Sequence, residues 1–229
     1  MTGRVKVGAA IAVGAIAIAP IVAALWLNRP FQAELAAYRT SLADRTEAQR
    51  HNIRQAVMAL DGVVIESGAT FSFNETVGPR TQERGYREAP AFMERELVTS
   101  VGGGICQVSS TLYNAAVLSG FEMVERHPHF RQVVSVQPGR DATVWYAMAD
   151  LRFKNIFLHP IRLSLQLADE VLSVAVQGNE GSVQQVQVFT EIIPSPNAGV
   201  STYQTHRTMK LSNKLLRREV LSVDVYNSH

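Results

Sequence analysis

The sequence predicts an α+β fold: a mostly antiparallel sheet packed on a central helix, preceded by an N-terminal transmembrane helix. Three observations carry this reading. Val7 to Asn28 contains no charged residue. Short apolar runs, broken by glycine and proline turns, fill most of the chain after Gly62. One stretch with helical apolar spacing, Ile105 to Ser119, lies among them.

The elements follow in order. The 22 residues from Val7 to Asn28 are enough for a helix to span roughly 30 Å of hydrocarbon. Trp26 stands where an interfacial aromatic would, and Arg4 and Lys6 precede the span. Residues 1–30 therefore read as a cytoplasmic tip and uncleaved signal-anchor, with a cleaved signal peptide as the rival. The positive charge before the span favours an exported domain, although Arg29, Arg39 and Arg45 on the far side weaken the bias. Residues 31–61 read as a helical stalk and packing helix, because Leu35, Tyr38, Leu42, Ile53, Val57 and Leu60 recur at three- and four-residue spacing. Asp61-Gly62 stops it.

Residues 62–192 read as the main domain. Val63–Ile65 and Phe71–Phe73 are expected strands, then the helix from Ile105 to Ser119, stopped by Gly120. Strands are expected at Gln132–Val136, Thr143–Ala147, Leu151–Phe157, Ile161–Leu167 and Val171–Gln177. Residues 193–229 read as a linker, Pro194 to Gly199, and a terminal hairpin, Thr202–Lys210 with Glu219–Tyr226.

Composition removes several function classes. The 229 residues carry a formal charge of +2. Setting aside Arg4 and Lys6 leaves 20 basic against 20 acidic residues, so nucleic acid is not an expected partner. A single cysteine excludes an intrachain disulfide and a four-cysteine zinc or iron–sulfur site. No cofactor is expected.

That cysteine, Cys106, follows Gly102-Gly103-Gly104 in the first turn of the expected helix. Unpaired N–H groups and the helix dipole favour a thiolate there. Gly103, Gly104 and the helix N-terminus are candidate oxyanion donors, and Gln107 offers a further side-chain donor. A thiolate nucleophile needs an imidazole and an orienting group. His127 is the expected base and Asp141 the orienting carboxylate, with His129 and Asp150 as further candidates. The order of cysteine on a helix start, then histidine and aspartate, is similar to that of transglutaminase-like and papain-like enzymes at the level of order only. Two other readings stand beside it. Cys106 is an apolar filler, or it joins His127 and His129 in a redox or metal site. Tyr86, Trp145, Tyr146, Arg84 and Arg87 are candidate contacts of a purely binding domain, with Trp145 or Tyr146 placed in the core by alternation.

A family resemblance rests on Phe71-Ser72-Phe73-Asn74, Val77-Gly78-Pro79-Arg80 and Gly85-Tyr86. The long block from Gly102 to Asn114 follows, then Glu125-Arg126-His127, the segment Gly139 to Val144, and Asp150 to Asn155. In this order, over about residues 50–180, the chain resembles the VanW-like family of bacterial envelope proteins. The resemblance implies an anchored or exported protein associated with the cell wall, with peptidoglycan as the candidate partner. A short helix between anchor and domain leaves independent wall binding unexpected. Together these readings point to a cysteine-dependent acyl transferase or amidase acting on wall peptides. The alternative is a non-enzymatic wall- or partner-binding scaffold.

Overall fold

A computed structural model describes residues 31–93, 96–179, 185–195 and 197–227. The expected membrane span lies outside them. Among the described residues no helix is long and apolar enough to cross a membrane. The architecture is α+β, and among the described residues every strand pairing is antiparallel.

The helix from Ile105 to Ser119 (α3) is the centre of the molecule. Thirteen of its residues are buried, and they occupy all of its faces, as expected for a helix enclosed by other elements. Gly120, at φ +90°, closes it by donating to the Ala116 and Val117 carbonyls. Its buried polar side chains are satisfied internally. Asn114 donates to the Ser110 and Arg140 carbonyls at 2.7 Å each, and Ser109 donates to the Ala142 carbonyl at 2.7 Å.

Against this helix lies a four-stranded sheet. It is formed by β1 (Ala33–Ser41), β9 (Val171–Gly178), β8 (Ile161–Ala168) and β2 (Val64–Ile65), in that order. Here the sequence expectation is corrected, because the first half of the expected stalk is strand β1. Leu35 and Leu42 are buried as core residues, but Ala33–Ser41 pairs along β9. The seven-residue spacing of Leu35 and Leu42 fits a helix, but Leu42 lies just past the strand, and long-range edge pairing overrides the local pattern. The second half is helical as expected. Helix α1 (Glu47–Leu60) starts with a capping box between Thr46 and Gln49 and ends at Asp61, followed by left-handed Gly62.

A second sheet, β3 (Thr70–Ser72), β7 (Arg152–Lys154) and β6 (Glu122–Glu125), encloses stacked aromatics. The Phe71 and Phe153 rings lie 4.8 Å apart, and those of Phe121 and Phe153 5.2 Å apart. Burying each such ring contributes about 1.5–3 kcal/mol. Between β3 and β6 run a one-turn helix, α2 (Phe73–Val77), and the unforeseen hairpin β4 (Glu88–Met93) with β5 (Glu96–Val101).

The expected C-terminal hairpin is present, and an unforeseen strand extends it into a three-stranded sheet. Strand β10 (Gln185–Ile193) pairs with β11 (Val200–Leu211), which pairs with β12 (Lys214–Asn227). The β11–β12 turn is Ser212-Asn213, both at positive φ, the signature of a tight hairpin turn. This sheet is bolted to the helix. Buried Arg207 donates to the Phe121 carbonyl at 2.7 Å, just beyond the C-terminus of α3, and pairs with Glu219. A boundary at 192–193 therefore separates nothing structural. Two further expected strands are absent. Gln132–Val136 is irregular, and Thr143–Ala147 contributes only isolated bridges, His127 to Thr143 and Trp145 to Ala149.

Candidate active site

The glycine block is held by α1 and β4. Asn52 on α1 donates to the Arg87 carbonyl at 2.9 Å and to the Gly103 carbonyl at 3.0 Å. A Cβ at Gly103 would sit 2.5 Å from the Ala89 carbonyl oxygen and 2.6 Å from that of Pro90, so the loop crosses β4 backbone to backbone. Gly104 caps α3 at φ +100°, a conformation that favours glycine. The N–H groups of Gly103, Ile105 and Gln107 donate to the Ser100, Gly102 and Gly104 carbonyls. Those of Gly104 and Cys106 meet no acceptor among the described residues. Unpaired N–H groups at a helix start favour an anion.

Cys106 is half-buried. Its thiol donates to the Val144 carbonyl at 3.7 Å, and His129 lines the same cleft and acts on its ionisation. His129 Nδ1 donates to Asp141 Oδ2 at 2.7 Å, and its backbone N–H donates to the same oxygen at 2.6 Å. Nδ1 being engaged, Nε2 is the ring nitrogen left for the thiol. Cysteine and histidine thus face one cleft, and the aspartate holds the imidazole. The imidazole in it is His129 and not the expected His127. His127 Nε2 turns to Glu125 Oε1 at 2.9 Å, with its side chain 47% exposed. Its backbone pairs with Thr143, and Pro128 separates it from His129. No strand exists here to place both rings on one face. His127 and His129 therefore do not converge with Cys106. Among the described residues no group of three or more His, Cys, Asp and Glu is arranged to hold a metal ion.

Asp141 is buried and fully coordinated. Besides His129 it accepts from Arg126 Nη2 at 3.0 Å and from the Tyr226 hydroxyl. Arg126 also donates to the Asp141 carbonyl at 2.6 Å and pairs with Asp224 at 2.5 Å. The Tyr226 hydroxyl accepts the Gly139 N–H at 2.7 Å. Strand β12 thereby supplies two of the groups that fix the orienting carboxylate. The sequence analysis missed Arg126, Asp224 and Tyr226. Arg126 adjoins a motif histidine, but nothing local marks Tyr226, 85 residues from Asp141.

These contacts set the protonation states. Burial alone would push the Cys106 thiol up. The neighbouring His129, then the Val144 backbone and Arg80, outweigh burial and bring it below its ordinary value. Burial opposes the imidazolium, but the hydrogen bond to Asp141 and the neighbouring Cys106 raise His129 to about 9. Burial likewise opposes the Asp141 carboxylate, and His129 and Arg126 hold it below the usual carboxylate range. The thiol and imidazole shifts are opposite in sign, the thiol lowered and the imidazole raised, and both favour the thiolate–imidazolium form of the pair over the neutral one.

Two other candidates have structural occupations. Gln107 is buried. Its amide donates to Thr40 and to the Ser41 carbonyl, and its oxygen accepts from Arg45 at 2.5 Å, so it is no oxyanion donor. Asp150 accepts from Ser72 at 2.5 Å and from the Asn74 N–H at 2.9 Å, which anchors the start of α2.

Two clefts meet at the sulfur. One, of about 370 Å³, is lined by Arg80, Gly102, Cys106, Trp145 and Tyr146. The other, of about 360 Å³, is lined by Arg45, Cys106, His129, Val133 and Val134. A larger cleft of about 560 Å³ adjoins the first across Tyr146 and Pro79 and does not reach Cys106. Trp145 and Tyr146 are both exposed, because a tight turn replaces the expected strand, whereas Tyr86 is buried in the core.

A family model described as "VanW like protein" matches residues 48–177. The chain belongs to the VanW-like family. Among VanW-like relatives, the uncharacterized protein YoaR of Bacillus subtilis is 45% identical over 128 residues, 56% of this chain and 42% of that protein. The vancomycin B-type resistance protein VanW of Enterococcus faecalis is 30% identical over 112 residues, 45% of this chain and 40% of that protein. The chain thus covers about two fifths of the length of either relative. No solved structure matches it. The VanW-like region contains Cys106, His129 and Asp141, and the sheet carrying Tyr226 lies beyond it.

Proposed function

We propose that this VanW-like domain is a cysteine-dependent acyl transferase or amidase acting on peptides of the cell wall. The cleft that Cys106 shares with His129, and the hold of Asp141 on that imidazole, carry the reading. Family membership supports the cell-wall-related role. Cys106 is the nucleophile, His129 the acid and base, and Asp141 the group that orients it. The Gly104 and Cys106 N–H groups stabilise the tetrahedral oxyanion. The apolar run from Val7 to Asn28 supports a single-pass anchor in the cytoplasmic membrane with the domain outside.

The test incubates the full chain with purified peptidoglycan fragments and follows it by intact-mass spectrometry. A peptide-derived mass on Cys106, absent from Cys106→Ala, is expected, together with released or transferred product. Absence of both adduct and product across fragments would remove the enzymatic reading. Exposed Trp145 and Tyr146 beside the clefts favour a scaffold as the second reading. Retention on sacculi by wild type and Cys106→Ala alike, without turnover, would select it.

A further inference from the structure

The two clefts that meet at Cys106 differ in chemistry. His129 lines only the second. In acyl transfer, the acid and base must face the leaving group and then the incoming nucleophile, since it protonates one and deprotonates the other. The second cleft is therefore the side of leaving group and acceptor. The first must hold the acyl portion.

Arg80 marks what that acyl portion carries. It lines the first cleft, with its Nη1 donating to Asn74 Oδ1 at 2.8 Å and to the Gly78 carbonyl at 2.9 Å, both neutral acceptors. Its guanidinium lies 5.8 Å from the centre of the Tyr146 ring. Among the described residues no carboxylate comes within 4 Å of it, and Nε and Nη2 have no acceptor. Nε and Nη2 form the edge that binds a carboxylate through two parallel hydrogen bonds. The stem is fixed as well. A Cβ at Gly102, itself at φ +89°, would meet Arg80 Cβ at 2.8 Å, so this glycine makes room for the arginine. Arg45, facing the second cleft, is different, because its Nε is already held by Gln107.

We infer that the first cleft is an anion subsite, in which Arg80 binds a free carboxylate on the acyl side of the substrate. The inference rests on Cys106 being the nucleophile. The substrate class is an acidic peptide whose carboxylate lies on the acyl side of the scissile amide. The thiolate attacks the amide carbonyl, the carbon–sulfur bond forms, and the carbon–nitrogen bond breaks as His129 protonates the departing amine. An incoming amine or water then gives its proton to His129 and breaks the thioester, which restores the thiolate.

Two alkylating probes test this on the full chain in non-ionic detergent. Iodoacetamide reports thiolate reactivity, and iodoacetate adds a carboxylate beside the reacting carbon. Their rate ratio is independent of how much thiolate is present. The ratio of iodoacetate to iodoacetamide rate is expected to exceed that of glutathione about tenfold, the scale of one charge-assisted contact. Arg80→Gln is expected to abolish the excess, and Arg80→Lys to retain part of it, with thermal melting confirming that both variants fold. An unchanged ratio in folded Arg80→Gln overturns the subsite. So does loss of the preference in Arg45→Gln instead, which would put the anion in the second cleft. Cys106 inert to both reagents would fail the nucleophile itself, a result distinct from a reactive Cys106 without charge preference.

Discussion

Asp141→Asn is expected to be the most destabilising single-atom change in the site. The carboxylate is 1% exposed and accepts from the His129 N–H, His129 Nδ1, Arg126 and Tyr226. An amide has one acceptor oxygen and presents N–H groups to the remaining donors. Breaking a buried charge network by removing one partner costs about 3–5 kcal/mol, and denaturant unfolding measures it. The pH dependence has a defined sign. The folded carboxyl lies below its ordinary value. Its contribution is therefore complete above the unfolded value of about 4 and disappears as pH falls through the depressed folded one. The gap between wild type and variant should close in acid.

Exchanging the two histidines for alanine, one at a time, has the second large effect. An ordinary thiol with a pKa of about 8.5 is only a few per cent ionised at pH 7. His129→Ala removes the imidazolium and leaves burial to act on the thiol alone. Alkylation of Cys106 by iodoacetamide at pH 7 should fall, by about 30-fold where the wild-type thiol is fully ionised. His127→Ala should leave the rate within about twofold, since His127 pairs with Glu125 in solvent. The opposite ranking would return the role of base to His127.

The contrast between these histidines marks where sequence reasoning stops. Local signals sufficed for α3: its apolar stripe, the glycines before it and Gly120 after it lie within one run of chain. They also sufficed to place Cys106 in the first turn of α3, and for β8 and β9, which alternate cleanly. The identity of the base depends on Asp141 capturing both donors of His129, a contact across an irregular loop that no periodicity describes. Strand β1 was hidden for a related reason. Ala33–Ser41 is rich in helix-compatible residues, and the pairing with β9 is formed by chain about 140 residues away. Strand β10 has polar residues at alternate positions and only Val188 packed against the core, so its membership of the terminal sheet shows only in the fold. Tyr226 and Asp224 reach the site through that sheet, which makes the C-terminal strands part of the candidate machinery rather than an appendage.

The central claim is that Cys106 and His129 form an ion pair held by Asp141. The pH dependence of Cys106 alkylation by iodoacetamide in the wild-type chain tests it most directly. Between pH 8 and pH 6 an ordinary thiol loses rate by roughly 75-fold as its thiolate is protonated. The pair predicts a loss of only a few-fold over that interval, and a steep profile in His129→Ala. A wild-type rate that falls tenfold per pH unit below pH 8, or no alkylation at any pH, would contradict it.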